Sequence, residues 1–155
     1  MKITYFILVT ALLTTNLLAA TNGVLLLRST VSGVYSLTVE PKPLATTLPL
    51  DVSQSNSDVG TVKIKANTIY GYKISISSTN SGKLVHESTL TSNIPYSLRF
   101  DSRPVSLVSP VILNYPAPQP NANNAKVEIT YTGVPHNNLE QGNYSDTVTF
   151  TISSL

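Results

Sequence analysis

Short segments of alternating apolar and polar residues run through most of the chain. The last of them places one set of alternate residues at Tyr144, Asp146, Val148, Phe150 and Ile152. Every residue of the opposite parity, from Ser145 to Ser153, carries a hydroxyl group. Successive side chains of a β-strand point to opposite faces of a sheet, so this pattern predicts a strand with one buried and one exposed face.

The same period of two recurs at short, regular intervals. It predicts strands over residues 34–39, 61–66, 70–77, 83–86, 94–101 and 126–132. The polar residues 53–58 and the Pro/Asn-rich residues 115–124 are predicted loops, and no window after residue 20 has helical periodicity. Seven or eight short amphipathic strands predict an all-β fold, an immunoglobulin-like antiparallel β-sandwich of Greek-key type.

Tyrosines follow the predicted core parity. Six of them share it: Tyr35, Tyr70, Tyr72, Tyr96, Tyr131 and Tyr144. A surface that stacks on carbohydrate rings needs exposed aromatic side chains, so we interpret these as core residues whose hydroxyls reach the rim. Gly142 and Tyr144 have the spacing of a tyrosine corner, in which a Tyr hydroxyl ties a crossing loop to the backbone.

The N-terminal residues 1–20 have the pattern of a secretory signal peptide. Lys2 supplies the positive charge, residues 3–13 are mostly apolar, and residues 18–20 offer a cleavage site after Ala20. A membrane anchor is less favoured because Thr14, Thr15 and Asn16 interrupt the apolar run. We therefore predict an exported chain with an N-terminal extension at 21–32 and one domain at 33–155.

Composition and charge exclude several classes of function. Ten Lys or Arg against eight Asp or Glu give a net charge of +2, which provides no electrostatic footprint for nucleic acid or an anionic membrane. The chain has no cysteine. Small exported folds usually add disulfides, so this one must be held by packing or by assembly.

Candidate catalytic and metal-binding residues are scattered. His86 and His136 are predicted to be solvated in separate loops, without the spacing of metal ligands. No Gly-x-Ser-x-Gly motif occurs, the carboxylates form no acid/base pair, and Gly82-Lys83 lacks the rest of a phosphate-binding loop. We predict a protein that is not an enzyme and has no metal or cofactor, with Asp146 as a strand-start residue that hydrogen-bonds the neighbouring corner.

A Leu, a Gly, a Tyr and an Asp followed by alternating Val, Thr and Phe make up the C-terminal stretch, at Leu139, Gly142, Tyr144, Asp146, Val148 and Phe150. This stretch resembles the ending shared by chaperone–usher pilus (fimbrial) subunits and spore-coat-U-like domains. Residues 94–106 and 25–37 are similar to an internal strand and to the mature start of cysteine-free pilins. The disulfide of most pilins and a penultimate Tyr are absent here.

The resemblance implies a structural subunit of a fimbria-like fibre on a bacterium with two membranes. Such subunits pass through the periplasm to the cell surface with a periplasmic chaperone and an outer-membrane usher as partners. They polymerise with identical or related subunits by donor-strand exchange, in which an N-terminal extension completes the neighbour's sheet. Because Tyr144–Ile152 is the last strand of the sequence, we expect its free side to need such a partner.

The candidate donor strand alternates at Leu25, Leu27, Ser29 and Val31. These residues can instead pair within their own domain as an ordinary first strand, and Leu26 on the opposite parity suits that alternative. In that case the chain is a self-complete sandwich, acting as a surface adhesin or coat component that binds glycans or proteins through loops such as 115–124.

Overall fold

The computed structural model describes residues 23–155, which form β-strands and short 3-10 helices. The strands are β1 (Tyr35–Pro41), β2 (Gln54–Ala66), β3 (Tyr72–Ser78), β4 (Lys83–His86), β5 (Asn93–Phe100), β6 (Arg103–Val105), β7 (Val111–Tyr115), β8 (Gln119–Tyr131), β9 (Tyr144–Ser145) and β10 (Val148–Ser154). The 3-10 helices are Pro43–Thr46, which follows β1, and His136–Asn138. No helix in the described part is long and apolar enough to cross a membrane.

The strands form two antiparallel sheets. The larger has the order β1-β2-β8-β5-β4-β9, with β6 pairing on β5, and the smaller has the order β10-β3-β7. Within residues 23–155 the chain changes sheet five times, between β2 and β3, β3 and β4, β6 and β7, β7 and β8, and β9 and β10, so that strands distant in sequence become neighbours. The predicted all-β fold, an immunoglobulin-like antiparallel β-sandwich, is confirmed.

The core consists of the inward-facing residues of both sheets. Alternation with a period of two places them on one face of each strand. Those with at most 2% exposure include Val62, Ile64, Ile74, Ile76, Ile94, Leu98 and Phe100. The Phe100 ring in the larger sheet lies 5.5 Å from the Phe150 ring in the smaller sheet, which joins the two layers.

Two predicted loops are wrong, because strands extend into them. Within the predicted loop 53–58, β2 already begins at Gln54, and within the predicted loop 115–124, β8 begins at Gln119. These polar stretches pair through their backbones, as between Ser57 and Ile129, and register shifts interrupt the β2–β8 ladder. Backbone pairing and β-bulges leave no period-two hydrophobic signal, so the pattern could not reveal them.

The N-terminal part of the described chain forms no strand. Residues 23–34 have no regular structure, and Ser32–Leu155 forms a compact unit. The predicted signal peptide, residues 1–20, lies outside the described residues. The division into an extension at 21–32 and a domain at 33–155 stays a prediction.

Candidate functional site

The outer strands β1 and β10 lie close together without being paired. β1 has one neighbour, β2, and β10 has one neighbour, β3, so each has a free backbone edge. Tyr35 at the start of β1 pairs with Ala66, and the following turn leads to Tyr72, which pairs with Ser154 at the end of β10. The two edges therefore run in opposite directions.

The core is open at these two strands. Ile74 and Ile76 of β3 are completely buried, whereas their partners on β10, Ile152 and Phe150, are only partly buried. On β1, the core-facing Val39 is 45% exposed. Inward-facing residues on both strands therefore lack the cover that a complete sandwich provides.

An apolar groove of ≈ 320 Å³ occupies this opening. Its floor is formed by Leu84, Leu98, Val127 and Ile129 of the larger sheet. One wall comes from β1 and the following 3-10 segment, and the other from residues 146–150. An exposed apolar groove bordered by two free backbone edges can accept an additional strand, with main-chain hydrogen bonds at the edge and side chains in the groove.

Asp146 forms a polar junction at one end of the groove. Its carboxylate accepts hydrogen bonds from Ser78 Oγ (2.5 Å), Tyr96 Oη (2.6 Å) and the backbone N–H of Asn80 (3.0 Å). Burial, together with the Asp146 carboxylate, raises the pKa of Tyr96 above its ordinary value of 10.0. Asp146 thus bonds to the end of β3, to the loop that follows it and to β5, not to the corner around Tyr144 that the sequence predicted.

The residues before β9 form a tyrosine corner. The Tyr144 hydroxyl donates to the backbone carbonyl of Glu140 at 3.2 Å and lies 2.7 Å from Ser92 Oγ. Leu139 packs against the edge of the core. This corner fixes the chain immediately before Asp146 and β10, so it helps to position one wall of the groove.

The prediction that His86 is a solvated loop residue is wrong. It ends β4, is 6% exposed and packs edge-on against the Tyr144 ring at 5.0 Å. Nδ1 accepts the backbone N–H of Thr89 at 2.9 Å, and Nε2 donates to Gln141 O at 3.1 Å. A Cβ on residue 142 would collide with the imidazole, so the position needs Gly142. The alternation of Leu84 with His86 was the available signal.

The candidate donor residues Leu25, Leu27 and Val31 are 82–84% exposed, and Ser29 is also exposed. Leu26, on the opposite parity, is 77% exposed as well. The described structure therefore leaves both parities of the segment uncovered and assigns it to neither sheet.

The remaining candidates from the sequence are a metal site, the core residue Tyr70 and a binding loop at 115–124. Among residues 23–155 no group of three His, Asp or Glu could hold a metal ion. The prediction that Tyr70 lies in the core is wrong. Strand β3 begins two residues later, and Tyr70 lies in a turn with 75% exposure. Of the predicted binding loop 115–124, only residues 116–118 lie outside strands.

Fold and groove together define an immunoglobulin-like β-sandwich with two unpaired edges over an open core. No protein-family model and no curated protein sequence matches the chain. Among solved structures, it is similar to the CssB subunit of colonization factor CS6 of enterotoxigenic Escherichia coli, complemented with a donor strand from the CssA subunit. The identity is 20%, with 76% of this chain and 82% of that chain covered, and the TM-score is 0.47.

It is also similar to the CooA pilin subunit from enterotoxigenic Escherichia coli. Here the identity is 18%, with 75% of this chain and 88% of that chain covered, and the TM-score is 0.39. With TM-scores below 0.5, neither likeness carries an assignment of function.

Proposed function

We propose that this protein is an exported structural subunit of a fimbria-like surface fibre, and that it polymerises by strand donation. The observation that supports this most is the open apolar groove between β1 and β10. Residues 24–31 of one subunit fill the groove of the next. The predicted signal peptide, periplasmic chaperone and outer-membrane usher belong to the same proposal and rest on the resemblance of the C-terminal stretch to pilus subunits.

The donor segment matches strand β10, which borders the groove, in length. Leu25 to Val31 as an extended strand spans about 20 Å, at about 3.3 Å per residue. β10, from Val148 to Ser154, has the same number of residues and therefore the same span. A donor strand of this length can therefore cover the groove, which Val148 and Phe150 of β10 line.

The groove and the donor also match in chemistry. An apolar cavity of about 150 Å³ accommodates a benzene molecule, so ≈ 320 Å³ takes about two branched aliphatic side chains. Burying two of the three donor side chains Leu25, Leu27 and Val31 contributes roughly 3–6 kcal/mol before ordering costs, at about 1.5–3 kcal/mol each. This is comparable with the ~5–15 kcal/mol net stability of a whole domain. Strand donation therefore determines whether a subunit is marginally stable or highly stable.

The two ends of the domain differ, and the difference sets the donor's direction. We name the end with Ser32–Val34, the turn 67–71 and Ser154 the tether end. The end with Pro43–Leu48 and Asp146–Val148 is the groove end. A donor antiparallel to β10 enters at the tether end of its acceptor and leaves at the groove end, where the donor's own domain then begins.

This direction keeps the neighbouring domains of a fibre apart. A donor parallel to β10 would leave at the acceptor's tether end, where the acceptor's own extension already departs, so the two domains would compete for one space. The antiparallel direction instead gives a head-to-tail contact that repeats indefinitely. It also extends a fully antiparallel sheet, the more stable form of pairing.

The alternation of the donor side chains between the two faces of the strand provides the test of this proposal. In the mature chain, residues 21–155, Leu27→Glu places a charge in the groove, whereas the matched control Leu26→Glu places the same charge on the opposite face. We expect polymers from the wild type and from L26E, and monomers from L27E, measured by size-exclusion chromatography with light scattering and by electron microscopy.

Two results would contradict strand donation. One is normal fibres from L27E. The other is a wild-type chain that remains a stable monomer with the amides of residues 24–31 protected from hydrogen exchange. The second result would establish the self-complete sandwich, acting as an adhesin or coat component, as the better description.

A further inference from the structure

Two large apolar side chains stand exposed at the tether end. Ile69 and Tyr70, in the turn between β2 and β3, are 77% and 75% exposed. The turn is held in shape, since Tyr70 N–H donates to Thr68 Oγ1 at 3.3 Å and Gly71 has φ +81°. Any Cβ on residue 71 would collide with the backbone of Tyr115 and Pro116. A rigid turn that presents adjacent apolar side chains has the form of a contact surface.

Asn67 ties this turn to the point where the N-terminal extension departs. Its side chain accepts from Val34 N–H at 2.5 Å and donates to Ser32 O at 3.1 Å, and its backbone N–H donates to Val34 O at 3.2 Å. The backbone immediately after the donor segment is therefore fixed beside Ile69 and Tyr70.

This attachment places the turn against the next subunit. Val31 is one residue from Ser32, and Tyr70 is three residues from Asn67. With at most about 3.3–3.6 Å per residue, Tyr70 lies within about 20 Å of the last donor residue. When that residue reaches the acceptor's groove end, Ile69 and Tyr70 are therefore within reach of the surface around it.

That surface contains a second concavity. It has a volume of ≈ 480 Å³ and lies between Ala45–Leu48 on one side and Gly142–Asp146 on the other. It is continuous with the groove, because Ala45, Leu48 and Asp146 line both. The exposed Thr47 and Asn143 at its rim offer partners for a Tyr hydroxyl, which a half-buried Tyr needs.

We propose that Ile69 and Tyr70 of each subunit dock into this concavity of the subunit that accepts its donor strand. The occupant is a second copy of this chain, and the inference rests on the proposed strand donation. Docking adds a domain-to-domain contact to the donated strand, so consecutive domains are fixed in orientation and do not swivel about the backbone at Ser32 and Gly33.

Crosslinking tests the docking directly. The chain has no cysteine, so introduced thiols are unique. We expect assembled polymers of Tyr70→Cys combined with Thr47→Cys to give covalent ladders with a short bismaleimide. Val108→Cys combined with Thr47→Cys is the matched control, since Val108 is equally exposed, at 77%, and lies outside the turn. It should give no ladder. Ladders of equal intensity in both pairs would overturn the docking.

A second set of variants tests the energetic contribution. Ile69→Ser with Tyr70→Ser removes exposed apolar groups, so the subunit should unfold at an unchanged denaturant concentration. We expect its polymers to form with an affinity about tenfold or more lower. Val108→Ser should assemble like the wild type.

The outcomes separate the two proposals. Polymers that depend on Leu27 but form normally in the Ile69→Ser, Tyr70→Ser variant, without ladders, would overturn docking and leave strand donation intact. If the wild type does not polymerise, or if L27E polymers are normal, strand donation fails and docking falls with it.

Discussion

Grafting the donor segment onto the C-terminus tests both the groove and the direction of insertion. The variant begins at Ser32 and carries residues 23–31 after Leu155, joined by a four-residue turn. β10 ends at the tether end, where an antiparallel donor must begin, so a tight hairpin suffices. A donor parallel to β10 would need a crossover of a dozen or more residues. We therefore expect the short-linker graft to be a stable monomer.

The magnitude follows from the side chains that the groove buries. In the graft, Leu27→Ala should destabilise the domain by about 2–5 kcal/mol, the usual cost of truncating a buried Leu. For a domain of this size about 1 kcal/mol shifts Tm by roughly 3–5 °C, so Tm should fall by about 6–25 °C. Leu26→Ala, on the opposite face, should change stability by about 0.5 kcal/mol or less.

Urea unfolding followed by far-ultraviolet circular dichroism, with light scattering to establish the monomeric state, measures these differences. The ungrafted chain from Ser32 is the reference and should be less stable than the graft. Equal losses from Leu26→Ala and Leu27→Ala would refute the proposed parity. A graft no more stable than the reference would refute the groove as the donor site.

Three further predictions concern the residues around the groove. Asp146→Ala should destabilise the domain by about 1.5–3 kcal/mol in urea titrations, as expected for hydrogen bonds to a charged group, whereas Glu40→Ala, which breaks an exposed ion pair with Lys63, should cost about 1 kcal/mol or less. Gly142→Ala should lower stability by about 1–3 kcal/mol through overpacking against His86. Adding His86→Ala to this variant should relieve part of that loss. Strictly additive losses from the two substitutions would contradict the clash. Stability should be independent of Tyr96 ionisation below pH 10 and fall as the pH rises from there through the raised pKa of Tyr96, because the unfolded state loses its proton first. Tyr96→Phe should flatten this alkaline slope in urea midpoints measured from pH 9 to 11. An unchanged slope would assign the effect to other tyrosines.

The sequence was most informative where one face of a strand is buried and the other wet. β10 is the clearest case, because Val148, Phe150 and Ile152 alternate with hydroxyl residues and face the core as predicted. The same reasoning correctly placed the core positions of β3 and β5. Burial of one strand face requires an apolar residue at every second position, so the sandwich could be inferred from the sequence pattern without a structure.

The sequence was least informative where the backbone alone determines structure. Gln54 to Asp58 of β2 and residues 119–124 of β8 are polar, yet they lie in a long paired ladder with bulges. The burial of His86 depends on Gly142, which is distant in sequence. The groove was predictable only as a free side of β10, because the second wall, formed by β1 and residues 43–48, arises from tertiary packing.

The free edge of β10 also has a consequence for the chain before the proposed assembly. Natural sheet edges are commonly defended by a Lys, a Pro or a bulge, which prevent strands of other molecules from adding to them. From Val148 to Ser154 β10 has neither charge nor proline, and its pairing with β3 runs without a register shift. Any extended chain can therefore compete for this edge while the subunit is unassembled. Under the proposed strand donation, unassembled chains must be captured faster than they meet one another, so their concentration, and not only their stability, would limit the yield of ordered fibre.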